Sequence, residues 1–316
     1  MKQARLIADV GGSNVRFALT GPTGRITDLW VRPGADYVSF DAALSAYLDA
    51  LDGEIDITAA VIAAAGPVLN RSIALTNRSW TISADAIAAR LGSAVEIQLL
   101  NDLEAVAHAL PHLTEDTVTY IDHHPPLLEA RARMLVVNVG TGFGSASLIR
   151  SGSGWVSCPS ESGHMVFGAT GRDELNLFRQ ISEHALTHED VLSGPAVRRM
   201  ASVFAATHGT SRIAPDFDLA DDSQVARQTV ERMAELLARA CRNLTLASAA
   251  WDGVYLCGSV AKAWWQRADL AAFRRQFASD SKMQHLLDRT PIGLLSGDDP
   301  ALIGLSKLPL SATALN

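Results

Sequence analysis

One pattern occurs twice in this chain, and it limits the fold more than any other feature. Leu6 to Ala8 form a short apolar run that stops at Asp9-Val10-Gly11-Gly12-Ser13-Asn14, after which Val15, Phe17 and Leu19 alternate. Met134 to Val137 form a second apolar run, followed by Asn138-Val139-Gly140-Thr141-Gly142-Phe143-Gly144 and then Ser145 to Ile149. Apolar alternation with a period of two predicts half-buried strands, and glycines between two such runs predict hairpin turns. Setting Asp9 on Asn138 also matches Val10 with Val139, Gly11 with Gly140 and Leu19 with Leu148. A strand–glycine turn–strand unit repeated far apart in 316 residues points to two lobes rather than one.

The segments between fit that plan. A turn at Gly21-Pro22-Thr23-Gly24 leads to a third strand over Ile26 to Val31. Leu44, Tyr47, Leu48 and Leu51 share a helical face over Phe40 to Leu51. Ala59 to Ala65 reads as a strand ending at Gly66-Pro67, Ser83 as the cap of a helix through Leu91, and Val95 to Leu100 as a further strand. Asn101-Asp102 opens a helix through Leu110. Later, Val230, Met233, Leu237, Cys241 and Leu244 mark a long helix, and Val254 to Cys257 a strand. Gly258-Ser259 turns into a helix carrying Trp264 and Trp265. A strand at Ile292 to Leu295 and a helix near Ala301 to Leu305 close the chain. This order predicts an α/β fold of two lobes around a central cleft.

Composition removes several function classes. The chain is 48% hydrophobic and 19% charged, which suits a packed globular protein. A net charge of -7 argues against a broad basic surface for nucleic acid. Cys158, Cys241 and Cys257 stand far apart with no CxxC pair and no zinc spacing, as expected of a reducing cytosol. Asp9 interrupts the apolar stretch after Lys2 and Arg5, so no signal peptide is expected, and no apolar run is long enough to span a membrane.

Glycine lets a backbone approach a phosphate closely and aim its N–H groups at it, and Thr141 would add a hydroxyl donor. The chain has neither a GxxxxGK[ST] P-loop nor a βαβ GxGxxG. Asp9 either bonds its own turn or serves as a Mg²⁺ ligand opposite phosphates. Asn101-Asp102 is either a helix cap or a carboxylate at the carboxyl end of a strand, where α/β proteins hold ligands. Glu161-Ser162-Gly163-His164 could ligate a metal, cap a helix, or fork across the hydroxyls of a sugar. Glu189, before Val191-Leu192-Ser193-Gly194, reads singly as a carboxylate at a helix start. His123-His124-Pro125-Pro126 reads as a loop, and His108 and His112 as structural or exposed, since Pro111 ends their helix.

Taken in order, six stretches resemble the bacterial glucokinase family, in the hexokinase-like branch of the actin-like ATPase (ribonuclease H-like) superfamily. They are Ile7 to Arg16, Leu75-Thr76-Asn77-Arg78-Ser79-Trp80, Leu100 to Ala105, Val139 to Gly144, Glu161 to His164, and Glu189 to Pro195. The resemblance implies a small α/β lobe of residues 1–102 plus about 298–316, and a large α+β lobe of residues 103–297. It implies a cytoplasmic enzyme, expected as a homodimer, that uses ATP and Mg²⁺ to phosphorylate D-glucose at its 6-hydroxyl. Lobe closure would exclude water from the cleft. Carried over residue by residue, Asp102 is the catalytic base, and Asn77, Asn101, Glu161, His164 and Glu189 join it in holding glucose. Asp9, Gly11, Gly12, Ser13 and Asn14 form a first phosphate turn, with Mg²⁺ on Asp9 through water. Gly140, Thr141 and Gly142 form a second phosphate turn, and Gly258 sits in the adenosine motif.

Three departures accompany the resemblance. Ser259 stands where a second glycine is usual, and its Cβ is expected to crowd the nucleotide. The pocket loop reads Gly66-Pro67-Val68, and Asp298-Asp299-Pro300-Ala301 follows the pattern loosely. The cysteine zinc motif of the repressor-and-kinase group is absent. The alternatives are a kinase for another hexose or amino sugar, or a sugar-binding regulator without turnover.

Overall fold

The computed structural model describes residues 2–75, 78–122, 132–209, 213, 217–279, 282–297 and 299–308. In chain order these form β1 (Lys2–Val10), β2 (Asn14–Thr20), β3 (Ile26–Pro33), α1 (Phe40–Asp49), β4 (Ile55–Ala64), β5 (Val68–Leu69), β6 (Ser72–Ala74), β7 (Thr81–Ser83), α2 (Ala84–Leu91), β8 (Glu96–Asn101) and α3 (Asp102–Ala109). There follow β9 (Val118–Tyr120), β10 (Arg133–Val139), β11 (Phe143–Ser151), β12 (Gly154–Ser160), α4 (Arg172–Ile181), α5 (His188–Leu192), α6 (Gly194–Thr207) and α7 (Gln224–Ser248). The chain ends with β13 (Val254–Cys257), α8 (Ser259–Trp265), α9 (Leu270–Phe277), α10 (Gln284–Leu287), β14 (Ile292–Leu295) and α11 (Pro300–Lys307).

Two compact units result, Met1–His112 with Asp298–Asn316, and Leu113–Gly297. The first is built on a sheet of order β3-β2-β1-β4-β8, in which β1 is antiparallel to β2 and parallel to β4, and β4 is parallel to β8. A separate small sheet, β5-β6-β7, follows Gly66-Pro67. The second unit uses the order β12-β11-β10-β13-β14-β9, with β10 antiparallel to β11 and parallel to β13. The repeat read from the sequence thus extends to whole sheets. Each glycine turn joins the central strand, β1 or β10, to the antiparallel neighbour beside it.

Apolar runs buried on both faces of the central strands do the folding in both units. Leu6, Ala8 and Val10 of β1 and Val15, Phe17 and Leu19 of β2 are at most 2% exposed and pack on Phe40, Leu44 and Tyr47 of α1. The Phe17 and Tyr47 rings stack at 5.2 Å. In the second unit, Val137, Val139 and Leu256 share a core with Met233, Leu237 and Cys241 of α7. Each large apolar side chain buried in this way contributes roughly 1.5–3 kcal/mol.

The division between units falls at 112/113 rather than at the expected 102/103. Helix α3 stays with the first unit because it packs on α11. The helices approach so closely that a Cβ on Gly304 would lie 1.8 Å from the Ala105 carbonyl oxygen. His108 is buried here, and burial, with His112 beside it, pushes its pKa down to about 4, so it is a neutral core residue. The sequence tract His123-His124-Pro125-Pro126 lies outside the described residues.

Candidate active site

In the first unit β1 delivers Asp9 to the carboxyl end of the central strand, directly across from Arg16 of β2. The turn between them is closed by the Gly11 N–H donating to the Asn14 carbonyl at 3.0 Å, so Asp9 is not what holds it. Arg78 donates to the Gly12 carbonyl at 2.6 Å, and the Gly34 N–H to the Ser13 carbonyl at 2.8 Å. Arg16 Nη1 lies 3.1 Å from Asp9 Oδ2, and Arg16 Nε lies 2.6 Å from Asp299 Oδ1. Burial pushes the Asp9 carboxyl up to about 6; Arg16 opposes the rise, and the charges of Asp102 and Asp299 add to it. A largely but not fully buried carboxylate, 13% exposed, with two negative neighbours and one shared arginine is under-compensated, which is the environment that attracts a cation.

Asp102 is the first residue of α3, at the end of β8, and half-buried. Asn101 is the N-cap, as the simple reading of the pair had it. Its Oδ1 accepts from the Leu103 N–H at 2.9 Å, and the Glu104 carboxylate accepts from its own N–H at 3.0 Å. Its Nδ2 donates to the Gly66 carbonyl at 3.3 Å. The amide of Asn101 is therefore engaged in fixing α3 and the Gly66-Pro67 loop, while Asp102 stands next to it on the helix start. Asp102 Oδ1 accepts from the Leu103 N–H at 2.9 Å. Asn77 lies outside the described residues.

In the second unit Asn138 occupies the place of Asp9, and its partner across the ladder is Gly144. The Gly140 N–H donates to the Gly142 carbonyl at 3.0 Å, and the Gly194 N–H at the start of α6 donates to the Gly140 carbonyl at 2.8 Å. The glycines here have different causes. A Cβ on Gly142 would lie 2.6 Å from Glu189 Oε2, one on Gly163 2.2 Å from the Phe143 carbonyl oxygen, and one on Gly258 2.4 Å from that of Val139. Gly258 also holds φ 97°, a left-handed conformation. Packing against backbone explains Gly163 and Gly258, whereas at Gly142 the neighbour is the end of the Glu189 side chain. A Cβ on Gly140 would meet nothing closer than 3.7 Å, and one on Gly11 nothing closer than 3.7 Å, and neither has a positive φ. Neither packing nor conformation demands glycine at these two positions.

Glu189 is half-buried at the start of α5, and its Oε2 accepts from the Phe143 N–H at 3.0 Å. That bond ties α5 to the second glycine turn, a task its position in the sequence does not reveal. Glu161 and His164 bracket a single helical turn and are exposed, with His164 Nε2 3.9 Å from Glu161 Oε2. Ser162 between them is buried and bonded to Ser145 at 2.7 Å, which anchors the loop. His188, unread in the sequence, is buried with its ring stacked on Phe143 at 5.4 Å and its Nδ1 3.2 Å from the Met165 carbonyl. Thr141 is exposed at the tip of its turn. The positive φ belongs to Gly258, while Ser259 is the exposed first residue of α8 with helical backbone. Its Cβ is accommodated by the helix and forces nothing in the chain.

Among the described residues no group of three or more His, Cys, Asp and Glu could hold a metal ion by itself. Mg²⁺ seldom needs one, since it is commonly carried by one or two carboxylates, waters and the phosphates of a nucleotide. The donor chemistry around Asp9 fits that mode. Among the described residues no helix is long and apolar enough to cross a membrane.

The Glucokinase family model matches residues 6–311. A glucokinase of Ralstonia nicotianae is 32% identical, over 95% of this chain and 93% of its own length. The crystal structure of a glucokinase from an Antarctic psychrotroph superposes with a TM-score of 0.82 at 27% identity, covering 95% of this chain and 97% of that one. A glucokinase from Balamuthia mandrillaris, solved in complex with glucose, shares the fold at 19% identity and a TM-score of 0.76, covering 96% of this chain and 92% of that one. The repeated sheets and their glycine turns are therefore the α/β architecture of the actin-like ATPases, and this chain belongs to the glucokinase family.

Proposed function

We propose that this chain transfers the terminal phosphoryl group of ATP to the 6-hydroxyl of D-glucose, giving glucose 6-phosphate, with Asp102 as the base. The observation that carries the assignment is the pair of carboxylates at two strand ends of one sheet, Asp9 near the end of β1 before its glycines and Asp102 directly after β8. Ligands of open α/β sheets bind at the carboxyl ends of strands.

Asp102 accepts a hydrogen bond from the 6-hydroxyl and takes its proton as that oxygen bonds to phosphorus and the bond from phosphorus to the ADP oxygen breaks. The hydroxyl becomes acidic only as the new bond forms, so an ordinary carboxylate suffices. Asp9 would hold the Mg²⁺ that accompanies the nucleotide, and that ion would supply charge neutralisation on the phosphates. In the turns at Gly11-Gly12-Ser13-Asn14 and Gly140-Thr141-Gly142, backbone N–H groups other than those of Gly11 and Gly140, which bond within their own turns, would donate to phosphate oxygens. Glu161, His164 and Glu189 hold sugar hydroxyls, with Asn101 and Asn77 assigned to the same ligand by resemblance. Gly258 lies by the adenosine. The homodimer and the cytoplasmic setting rest on the family resemblance, and sedimentation tests the first of them.

A coupled ADP-release assay tests the reading. Glucose should stimulate ADP release, and mannose, fructose and the amino sugars should do so less well. Asp102→Asn should leave glucose binding within about twofold and lower turnover about a hundredfold or more, the usual scale for a general base. Near wild-type turnover in that variant would reduce Asp102 to a helix-start carboxylate and remove the mechanism.

A further inference from the structure

Asp299 opens the last helix in a way that a helix cap does not. An Asp before a helix ordinarily accepts from the first unpaired backbone N–H groups of that helix. Asp299 is the N-cap of α11, with Pro300 next, and makes no such bond. Its backbone lies at φ 53°, ψ 52°, a left-handed conformation that non-glycine residues seldom hold. Such outliers persist where the surroundings over-determine them, and the sound inference runs from the outlier to a role. Here the carboxylate has turned to Arg16, 2.6 Å from Nε, while the Nη1 of the same guanidinium reaches Asp9 at 3.1 Å. The three side chains are 23%, 26% and 13% exposed, so the contacts lie where solvent screens them poorly.

The link is not what keeps α11 in place. That helix is seated on α3 at Gly304, and Arg5 donates to the Ser306 and Leu308 carbonyls. What Asp299 adds is the aim of one planar fork. A guanidinium has its donors in fixed directions, so fixing one edge fixes the other.

We propose that Asp299 is a positioning residue for phosphoryl transfer: it orients the guanidinium of Arg16, and Arg16 in turn sets where the Asp9 carboxylate points. The inference rests on the reading of Asp9 as the residue that meets the Mg²⁺–nucleotide. Without Asp299 the guanidinium would swing toward Asp9 and form a closer private pair, competing with the cation for the same oxygens.

Calorimetry should measure ADP affinity with Mg²⁺ and with EDTA for wild type, Asp299→Ala, Asp299→Asn, Arg16→Gln and the Asp299→Ala/Arg16→Gln double variant. Glucose affinity and the thermal midpoint are read alongside. Asp299→Ala should weaken Mg²⁺–ADP binding on the order of tenfold, the low end for residues that orient a metal ligand. ADP affinity in EDTA, glucose affinity and the midpoint should stay close to wild type, and Asp299→Asn, which keeps an acceptor oxygen, should recover part of the loss. In the Arg16→Gln background Asp299→Ala should add nothing, because the path runs through Arg16. Unchanged Mg²⁺–ADP affinity in both Asp299 variants overturns the proposal, as does a cost that persists undiminished without Arg16. Equal losses with and without Mg²⁺, together with a lowered midpoint, would make Asp299 a tether. Asp9→Asn separates the two levels. If it too leaves Mg²⁺–ADP affinity unchanged, the reading of Asp9 falls; if it weakens binding and Asp299→Ala does not, only the present inference falls.

Discussion

Asp9 and Asn138 hold the same place in two copies of one motif, near the end of a central strand just before a glycine turn. Across the ladder Asp9 meets Arg16, and Asn138 meets Gly144. The first copy therefore carries charge and the second carries none, although their backbones follow one plan. A second contrast sharpens the first. Glu174 in the second unit is also a buried carboxylate on an arginine, Arg239, at 2.8 Å. Burial alone would push Glu174 up, but hydrogen bonds from Arg239 and from Thr170 overcome it and leave the carboxyl below its usual range. Asp9 has an arginine as well, yet that arginine is shared with Asp299, and burial leaves the Asp9 carboxyl raised to about 6. A satisfied carboxylate holds a fold together, and an under-compensated one is kept for something that binds.

The largest test of that contrast is pH. The carboxyl of Glu174 is lower in the folded state, so its stabilisation is present above its unfolded pKa of about 4.5 and is lost as pH falls through the depressed value. Glu174→Gln should cost about 3 kcal/mol at pH 7, the scale for stranding a buried partner, and progressively less toward pH 3. Asp9 has the opposite sign. Its carboxyl is higher in the folded state, so the charge costs stability above pH 6, and that cost disappears as pH falls from about 6 toward 4. Asp9→Asn in EDTA should be more stable than wild type at pH 7.5, by about 1–3 kcal/mol, with the gap closing near pH 4. Denaturant melts across pH for both variants read the two slopes. Slopes of the same sign would end the distinction between the carboxylates.

Next in size are the glycines. Gly258→Ala should lose about 2–3 kcal/mol of stability, since the new Cβ meets backbone and the residue holds a positive φ. Gly140→Ala should cost about 1 kcal/mol or less in stability and weaken nucleotide affinity on the order of tenfold. If both variants merely destabilise, the second turn is a packing motif and not a phosphate turn.

Smaller still are the acidic residues of the second unit. Glu189→Gln should weaken glucose binding by about 1.5 kcal/mol, because its carboxylate is fixed by the Phe143 N–H and cannot readjust. Glu161→Gln, at an exposed side chain, should cost about half of that. Calorimetric titration with glucose decides, and unchanged affinity in both removes them from the sugar site. Smallest is Ser259→Gly. With helical backbone and an exposed side chain, it should shift stability by about 0.5 kcal/mol and the ATP Michaelis constant by about twofold at most.

These tests also separate what the sequence makes readable from what it does not. The central strands are readable because their apolar runs are local, and the glycine turns because two glycines end each run. The surroundings of each glycine are not readable: Gly140 and Gly142 stand two apart, and only the Glu189 carboxylate beside the second tells them apart. The helix cap at Asn101 is local and therefore legible, while the unit boundary depends on α3 meeting α11 from the far end of the chain. The role of Asp299 escapes for the same reason, since nothing near it in sequence names Arg16.

Because α11 and Asp299 belong to the unit that begins with β1, the second unit is in effect an insertion within the first. On a ribosome adding about 5–20 residues per second, the strand carrying Asp9 waits roughly fifteen seconds to a minute before the helix that completes its unit has been made. During that interval the inserted unit can fold by itself, while the face of α3 that will receive Gly304 has no cover. A released chain that ends just short of Pro300 should therefore hold a finished inserted unit and a protease-sensitive first one, and its aggregation should respond to chaperones that shield α3.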